Sequence, residues 1–543
     1  MSGHTADRVP TDRLDAVVVG AGFTGLYMLH RLRRAGFSAR LFESGSGVGG
    51  TWYHNRYPGA RCDIESMDYS YSFDEGLQQN WSWSERYASQ PELLRYLNHV
   101  ADRYELRPHI ELDTKVVSAH FDDLATSWTI TTDRGEAVTA RWCLMATGCL
   151  TVAQVPRFPG LDNYEGQWFH SGDWPHEGVD FTGKRVGVIG TGSSGTQLIP
   201  IVAEQATHLH VFQRTANFCM PAQNRPLWTE EEARWKAEYP ERRARARVSG
   251  FGHSQPQNPN RYRDLSPEER RAELEARWEA GGLYMMRAFK DVLSDPEANE
   301  AAAEFARGKI REVVKDPEVA ELLSPRGFHF GTKRLCSGTH YYETFNRDNV
   351  TLVDVRSAPI EEVTPTGLRT AAAHHELDAI VFATGFDAMT GSLSRIDIRG
   401  AGGKTLAEKW AAGPHTYLGL SVAGFPNLFL LTGPGSPSVF SNMVNSAEQH
   451  VEWVADFLEY AGDHEVLGAE ATAEAEDAWG DHLREVAAAT LYPRSPNSWF
   501  FGANTPGKPR VFMPYVGGVG NYRKRVDEVA ANGYTGFVLR RRR

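Results

Sequence analysis

The chain has 543 residues, 41% hydrophobic and 23% charged, an ordinary globular composition that excludes a disordered, collagenous or disulfide-built protein. Its 58 basic residues against 69 acidic ones leave a net charge of −11, which argues against a general polyanion binder and against a nucleic-acid partner. Five cysteines, Cys62, Cys143, Cys149, Cys219 and Cys336, lack CxxC spacing, so neither a metal site nor a disulfide framework is signalled and a cytoplasmic setting is expected.

The opening MSGHTADRVPTDRLD is polar, and the first apolar run, Ala16 to Val19, is far too short for a secretion signal or a membrane span. No membrane association is expected. Asp15-Ala-Val-Val-Val-Gly20 then reads as a strand, followed by Ala21-Gly22-Phe23-Thr24-Gly25, the helical pattern LYMLHRLRRAG, and a second strand ending at Glu43. A strand, tight glycine turn, helix and strand in succession form a βαβ unit. A second GxGxxG match, Gly45 to Gly50, follows no strand and is rejected as a separate nucleotide site.

The βαβ order returns at Arg185-Val-Gly-Val-Ile-Gly190, with the turn Thr191-Gly192-Ser193-Ser194-Gly195, a helical segment containing Gln197, and a strand ending at Arg214 and Thr215. Residues 227–323 are rich in Glu, Arg and Ala at helical spacing and predict a helical insertion, interrupted by the loop GFGHSQPQNPNRY. Strands ending at Thr147-Gly148 and Thr384-Gly385 close the two units. The segment after Gly385 holds an apolar run, Leu428 to Thr432, and an amphipathic stretch from about Ser446 to Tyr460, and is expected to complete the first unit. Arg540 to Arg543 is read as a solvated tail.

The residue ending the second strand of each unit decides what the adenosine ribose can carry. Glu43 would accept hydrogen bonds from ribose hydroxyls and repel a 2′-phosphate, so the first unit suits FAD or NAD. Arg214 has no acid nearby and offers a bidentate guanidinium to a 2′-phosphate, so the second suits NADP(H). FAD in one site and NADPH in the other describe a flavoprotein, and without a cysteine pair beside the first unit molecular oxygen is the most economical electron acceptor. The expected fold is α/β, with two Rossmann-like dinucleotide-binding domains and a helical insertion. Its segments are 1–150 (FAD, first part), 151–226 (NADP, first part), 227–332 (insertion), 333–388 (NADP, second part) and 389–543 (FAD, second part).

Between the units, Tyr164-Glu-Gly166-Gln-Trp-Phe-His170-Ser-Gly-Asp-Trp174 resembles the FxGxxxHxxxW fingerprint of Baeyer-Villiger monooxygenases, with Tyr164 in place of Phe. Gly49-Gly50-Thr51-Trp52 through Tyr57-Pro58-Gly59 to Asp63 matches a second pattern of that family in full. The resemblance is nearest to the phenylacetone and steroid monooxygenase branch. It implies oxidation of a ketone to an ester or lactone by NADPH and O2 through a C4a-peroxyflavin, with sulfoxidation as a side activity. The alternative is an amine- or sulfide-oxidising flavin monooxygenase. It further implies Arg334 as the cation beside the reacting oxygen, Asp63 as its holder, and Lys333 turned to the 2′-phosphate. Arg61 and Cys62 would lie against the nicotinamide half, Thr51, Trp52, Tyr69 and Met443 at the flavin, and Trp499 over the cofactor. Ile64, Cys149, Leu150, Ser438, Val439 and Phe440 would line the ketone pocket. A monomer or weak oligomer is expected.

Overall fold

The computed structural model describes residues 13–495 and 497–542. Leu14–Val19 is a strand because Ala16, Val17 and Val18 are fully buried and β-branched residues favour the pleat. It pairs in parallel with Ala39–Phe42 on one side and with Ala137–Met145 on the other, and the helix Phe23–Arg34 makes the crossover. Antiparallel strands Val116–Asp122 and Ser127–Thr132, with Ile110–Glu111, Asp397–Arg399 and Leu428–Leu430, extend this sheet to eight strands. Leu428–Leu430 joins it in parallel against Cys143–Met145, so the late segment returns to the first sheet. The helix Met443–Asp463 then buries its apolar face, including Val451, Val454 and Phe457, in the same core as Leu26 and Leu29.

The second sheet is parallel throughout, in the order Val350–Asp354, His208–Gln213, Arg185–Ile189, Ala379–Phe382, Gln167–His170. Both faces of its central strands are covered, and Val186, Val188 and Phe382 are fully buried. Helices Thr229–Val248, Pro267–Ala280, Pro296–Val313 and Pro317–Leu323 occupy the stretch read as helical. Proline stands in the first turn of the last three, where its missing N–H costs nothing, and Ser266, Asp295 and Asp316 cap them.

The C-terminal arginines are not a tail. Phe537–Arg541 is a strand paired antiparallel with Val466–Ala471, where alternation across the ladder leaves Arg540 exposed beside Glu470. Arg543 and residues 1–12 lie outside the described residues. No helix among them is long and apolar enough to cross a membrane.

Candidate active site

A continuous cavity of about 1000 Å³ runs between the two glycine turns, at the upper end of the range for small-molecule sites. At each turn the glycines are required by backbone proximity. A Cβ on Gly20 (φ +104°) would strike the carbonyl of Ala146, and one on Gly25 the carbonyl of Gly20. Gly190 (φ +112°) and Gly195 repeat this against Ala383 and Gly190. The helices that follow start at Gly22 and Gly192 without a side-chain cap, so their first N–H groups remain available to anionic oxygens.

The rejected glycine run has a use in this same site. Gly49 N–H donates to the Ala21 carbonyl, and Gly50 (φ +54°) packs against Gly22. One helical turn, Thr51–His54, follows it, too short for an anion site of its own. The run therefore buttresses the first turn.

Glu43 is buried, its Oε2 accepting from Ala21 N at 2.7 Å and its Oε1 from Gly45 N at 2.8 Å. Burial alone would raise its pKa, but the nearby His54, 4.0 Å away, and the hydrogen bonds from these two amides outweigh it and hold the carboxyl below its ordinary range. At the other turn Arg214 and Lys333 share the cavity wall, and among the described residues neither has a carboxylate partner. Burial and the neighbouring Arg214 push the Lys333 ammonium down, as expected of two cations waiting for an anion. One carboxylate beside the first turn and two unpaired cations beside the second fit FAD and NADP(H) respectively.

Between the turns, Arg334 is held by a bidentate pair with Asp63, Nε to Oδ2 at 2.9 Å and Nη2 to Oδ1 at 2.7 Å, while Nη1 donates to the Val439 carbonyl at 2.9 Å. Burial works against the charge, yet Asp63 more than compensates and the guanidinium pKa is raised. Three of five N–H donors are thus used and two remain. The same motif grips the second helix: Gly59 (φ +82°) sits against the Gln197 carbonyl, and Gln197 Oε1 accepts from Tyr57 at 2.8 Å. Arg61 turns its guanidinium to Glu85 and the Tyr87 carbonyl. The GGxW to Asp63 segment therefore ties the first turn, the second helix and Arg334 together.

Thr24, Thr51, Trp52, Arg61, Cys62, Ile64, Tyr69, Cys149, Leu150, Thr191, Ser193, Ser194, Thr215, Val439, Met443 and Trp499 also line this cavity. Burial pushes the Cys149 thiol up to about 11 and Cys62 well above its ordinary value, so both are inert walls. Ser438 (φ +41°) is fully buried behind the wall, its hydroxyl on the Thr432 carbonyl. Phe440 faces a smaller chamber on the other side of Arg334. Gly166, His170 and Trp174 stand away from the cavity. Gly166 fits against the Asp378 carbonyl, Trp174 packs on Phe169 and Phe181, and His170 ends an edge strand, accepting from Gly172 N and contacting Thr384 Oγ1 at 3.3 Å. Their contribution is to dock that strand beside Thr384 and Gly385, which do line the cavity. Sequence reasoning missed Phe251, His253, Arg287 and Tyr492, which surround the smaller chamber. The first three lie in the stretch read as a surface insertion.

A model of flavin-binding monooxygenase-like proteins matches residues 14–225. A Baeyer-Villiger monooxygenase of Pseudooceanicola batsensis is 46% identical over 530 residues, 96% of each chain. The solved structure of an oxidized steroid monooxygenase bound to NADP is 55% identical with a TM-score of 0.93, covering 97% of this chain and 99% of that one. The structure of the OTEMO complex with FAD and NADP is 44% identical with a TM-score of 0.94 over the same shares. With near-complete coverage at such identity, and with both nucleotide turns and the Arg334–Asp63 pair in place, the chain belongs to the Baeyer-Villiger monooxygenases.

Proposed function

We propose that this protein converts a ketone to an ester or lactone at the expense of NADPH and O2, with FAD on the Gly20–Gly25 turn and NADP(H) on the Gly190–Gly195 turn. The observation that carries this reading is Arg334, a half-buried guanidinium fixed by Asp63 and Val439 with two donors left over, between the two turns. Bound FAD and NADPH would supply the electrons that activate O2, one oxygen atom entering the ester and the other leaving as water.

The chain's own part is to place charge and exclude water. Arg334 keeps its proton at any working pH and stabilises negative charge on oxygen next to it, which a Lys or His could lose. Asp63 fixes the plane of the guanidinium, so no reorientation is needed as charge develops. Lys333 and Arg214 hold the 2′-phosphate, and Lys333 can do so beside Arg334 because adjacent residues of an extended segment face opposite ways. Apolar Ile64, Leu150 and Trp499 keep that part of the cavity dry. In this reading the two sheets are Rossmann-like FAD and NADP domains, the FAD domain is split between 1–150 and 389–543, and the helical insertion interrupts the NADP domain.

The test is Arg334→Ala. Ester formation from a ketone panel should fall by at least ~10²-fold, the scale of losing a placed donor to a developing oxyanion, while bleaching of flavin colour by NADPH continues. Ester production at near wild-type rate would remove Arg334 from this role.

A further inference from the structure

Beside Arg334 lies a small chamber of about 20 Å³, lined by the rings of Phe251, Phe440, Tyr492 and Phe500. Phe440 bridges Phe251 and Tyr492, each at 5.3 Å between ring centroids. Two polar side chains of the insertion also face it, His253 and Arg287, only 9% and 6% exposed.

Arg287 is buried without an ion-pair partner among the described residues, its guanidinium lying 5.5 Å from the centre of the Tyr284 ring. Among the described residues its single side-chain hydrogen bond runs from Nη1 to the Gln255 carbonyl at 3.1 Å, and it makes no ion pair. The carboxylates in the neighbourhood are occupied: Glu65 pairs with Arg86 at 2.8 Å and accepts from Gln255, and Asp68 accepts from the amide and hydroxyl of Ser254. Arg334 has Asp63. Burial lowers the pKa of Arg287 and outweighs Glu65 and Asp68, which favour its charge from a distance, so a carboxylate brought to its free N–H groups would be favoured. Neither ring nitrogen of His253 has a partner among the described residues. Burial and the nearby cations keep that imidazole neutral, able to donate one hydrogen bond.

We propose that this chamber anchors a carboxylate carried by the substrate at a distance from its ketone, with Arg287 and His253 as the groups that bind it. The inference rests on the ketone-oxidising reading for the reacting end of the molecule. About 20 Å³ is the space of roughly one water-sized atom, so the chamber admits an acceptor oxygen and excludes a ring. The chain leading to that oxygen would pass between Phe251 and Phe440. Phe251 sits between Gly250 and Gly252 (φ +72°) and its carbonyl accepts from Asn442 N–H at 2.8 Å, so parting from Phe440 is a turn of the ring about its side-chain bonds.

Two measurements on the FAD- and NADP⁺-loaded protein test this. The first is kcat/KM for 4-phenylbutan-2-one against its para-carboxylate: the wild type should favour the keto acid by about tenfold, the scale of one charge-assisted pair. In Arg287→Met, and partially in His253→Phe, that ratio should fall to about one. The second is the Tm shift given by 3-phenylpropanoate, which has no ketone, against 3-phenylpropan-1-ol. A rise of a few °C with the carboxylate alone is expected in the wild type and none in Arg287→Met. An equal shift in both proteins, or no preference for the keto acid in the wild type, overturns the subsite. Carboxylate-dependent stabilisation without oxidation of either ketone would support the subsite and instead count against the ketone reading.

Discussion

Asp63 and Arg334 stand 271 positions apart and form a bidentate pair with both nitrogen–oxygen distances under 3 Å. The two side chains are 22% and 20% exposed, so removing either partner costs less than breaking a fully buried pair, about 1–3 kcal/mol. Asp63→Ala is therefore expected to lower Tm as well as ester formation, whereas Asp63→Asn, which keeps one acceptor, should lose activity with a smaller stability loss; differential scanning calorimetry beside product assay separates the two. Arg214 makes no such pair among the described residues, and under the proposed function it meets the 2′-phosphate of NADP(H). Arg214→Ala should raise the KM for NADPH by about tenfold or more while leaving that for NADH nearly unchanged, as expected when one charge-assisted phosphate contact is lost. A fall in both affinities alike would count against a 2′-phosphate at this position. Glu43 and Arg214 were legible from sequence because each ends a strand at a fixed place after a glycine turn. Arg287 was not, since nothing in the helical spacing of the insertion distinguishes a solvated arginine from a buried one.

Among the helices, a missing side-chain cap marks the two glycine turns only together with the cavity they face, since Gln90–Arg103, Thr229–Val248 and Val519–Ala531 are uncapped as well. Helices starting after Ser266, Asp295, Asp316 and Thr472 have a side-chain acceptor on their first amides, whereas those starting after Gly22 and Gly192 have none. An uncapped N-terminus facing a cavity leaves its N–H groups for an anion. Gly25→Ala should push the helix off its turn through the collision with the Gly20 carbonyl. The expected result is protein purified with little FAD, read as the ratio of absorbance at 450 to that at 280 nm as an approximate (~) measure of flavin per chain; Gly195→Ala should retain FAD and lose its reduction by NADPH instead. The linker strand carries a different lesson. Its Gly166, His170 and Trp174 pattern points to the family, yet the side chains serve to dock an edge strand, and only the adjoining Thr384 and Gly385 reach the cavity.

For the whole molecule, burial sets the response to acid. His30 and His170 are pushed down to about 4 and His450 to about 3, chiefly by burial, from an ordinary value of 6.5. Their folded-state pKa values are depressed, so the unfolded chain takes up protons first as pH falls. The stability they contribute is complete above pH 6.5 and is lost progressively towards pH 4. The buried carboxyls of Asp68 and Glu448 are raised and act in the opposite sense, but His210 adds a fourth depressed histidine. Tm should fall across the window from pH 6.5 to 4; a flat profile there would show that these rings are solvated.

At this same scale the sequence and the tertiary structure divide the work. Local pattern sufficed for the two strand–glycine–helix–strand units, the placing of Glu43 and Arg214 beside their turns and the helices between 227 and 323, because strand alternation, glycine turns and helical period act over a few residues. Only folding brought Leu428–Leu430 back beside Cys143–Met145, turned the discarded glycine run into a buttress for Gly22, and made the presumed C-terminal tail an edge strand. It also placed Arg334 on Asp63 and set Phe251, His253 and Arg287 of the insertion beside them. These are contacts between residues far apart in the chain, and their energy comes from burial and charge pairing that no local spacing encodes.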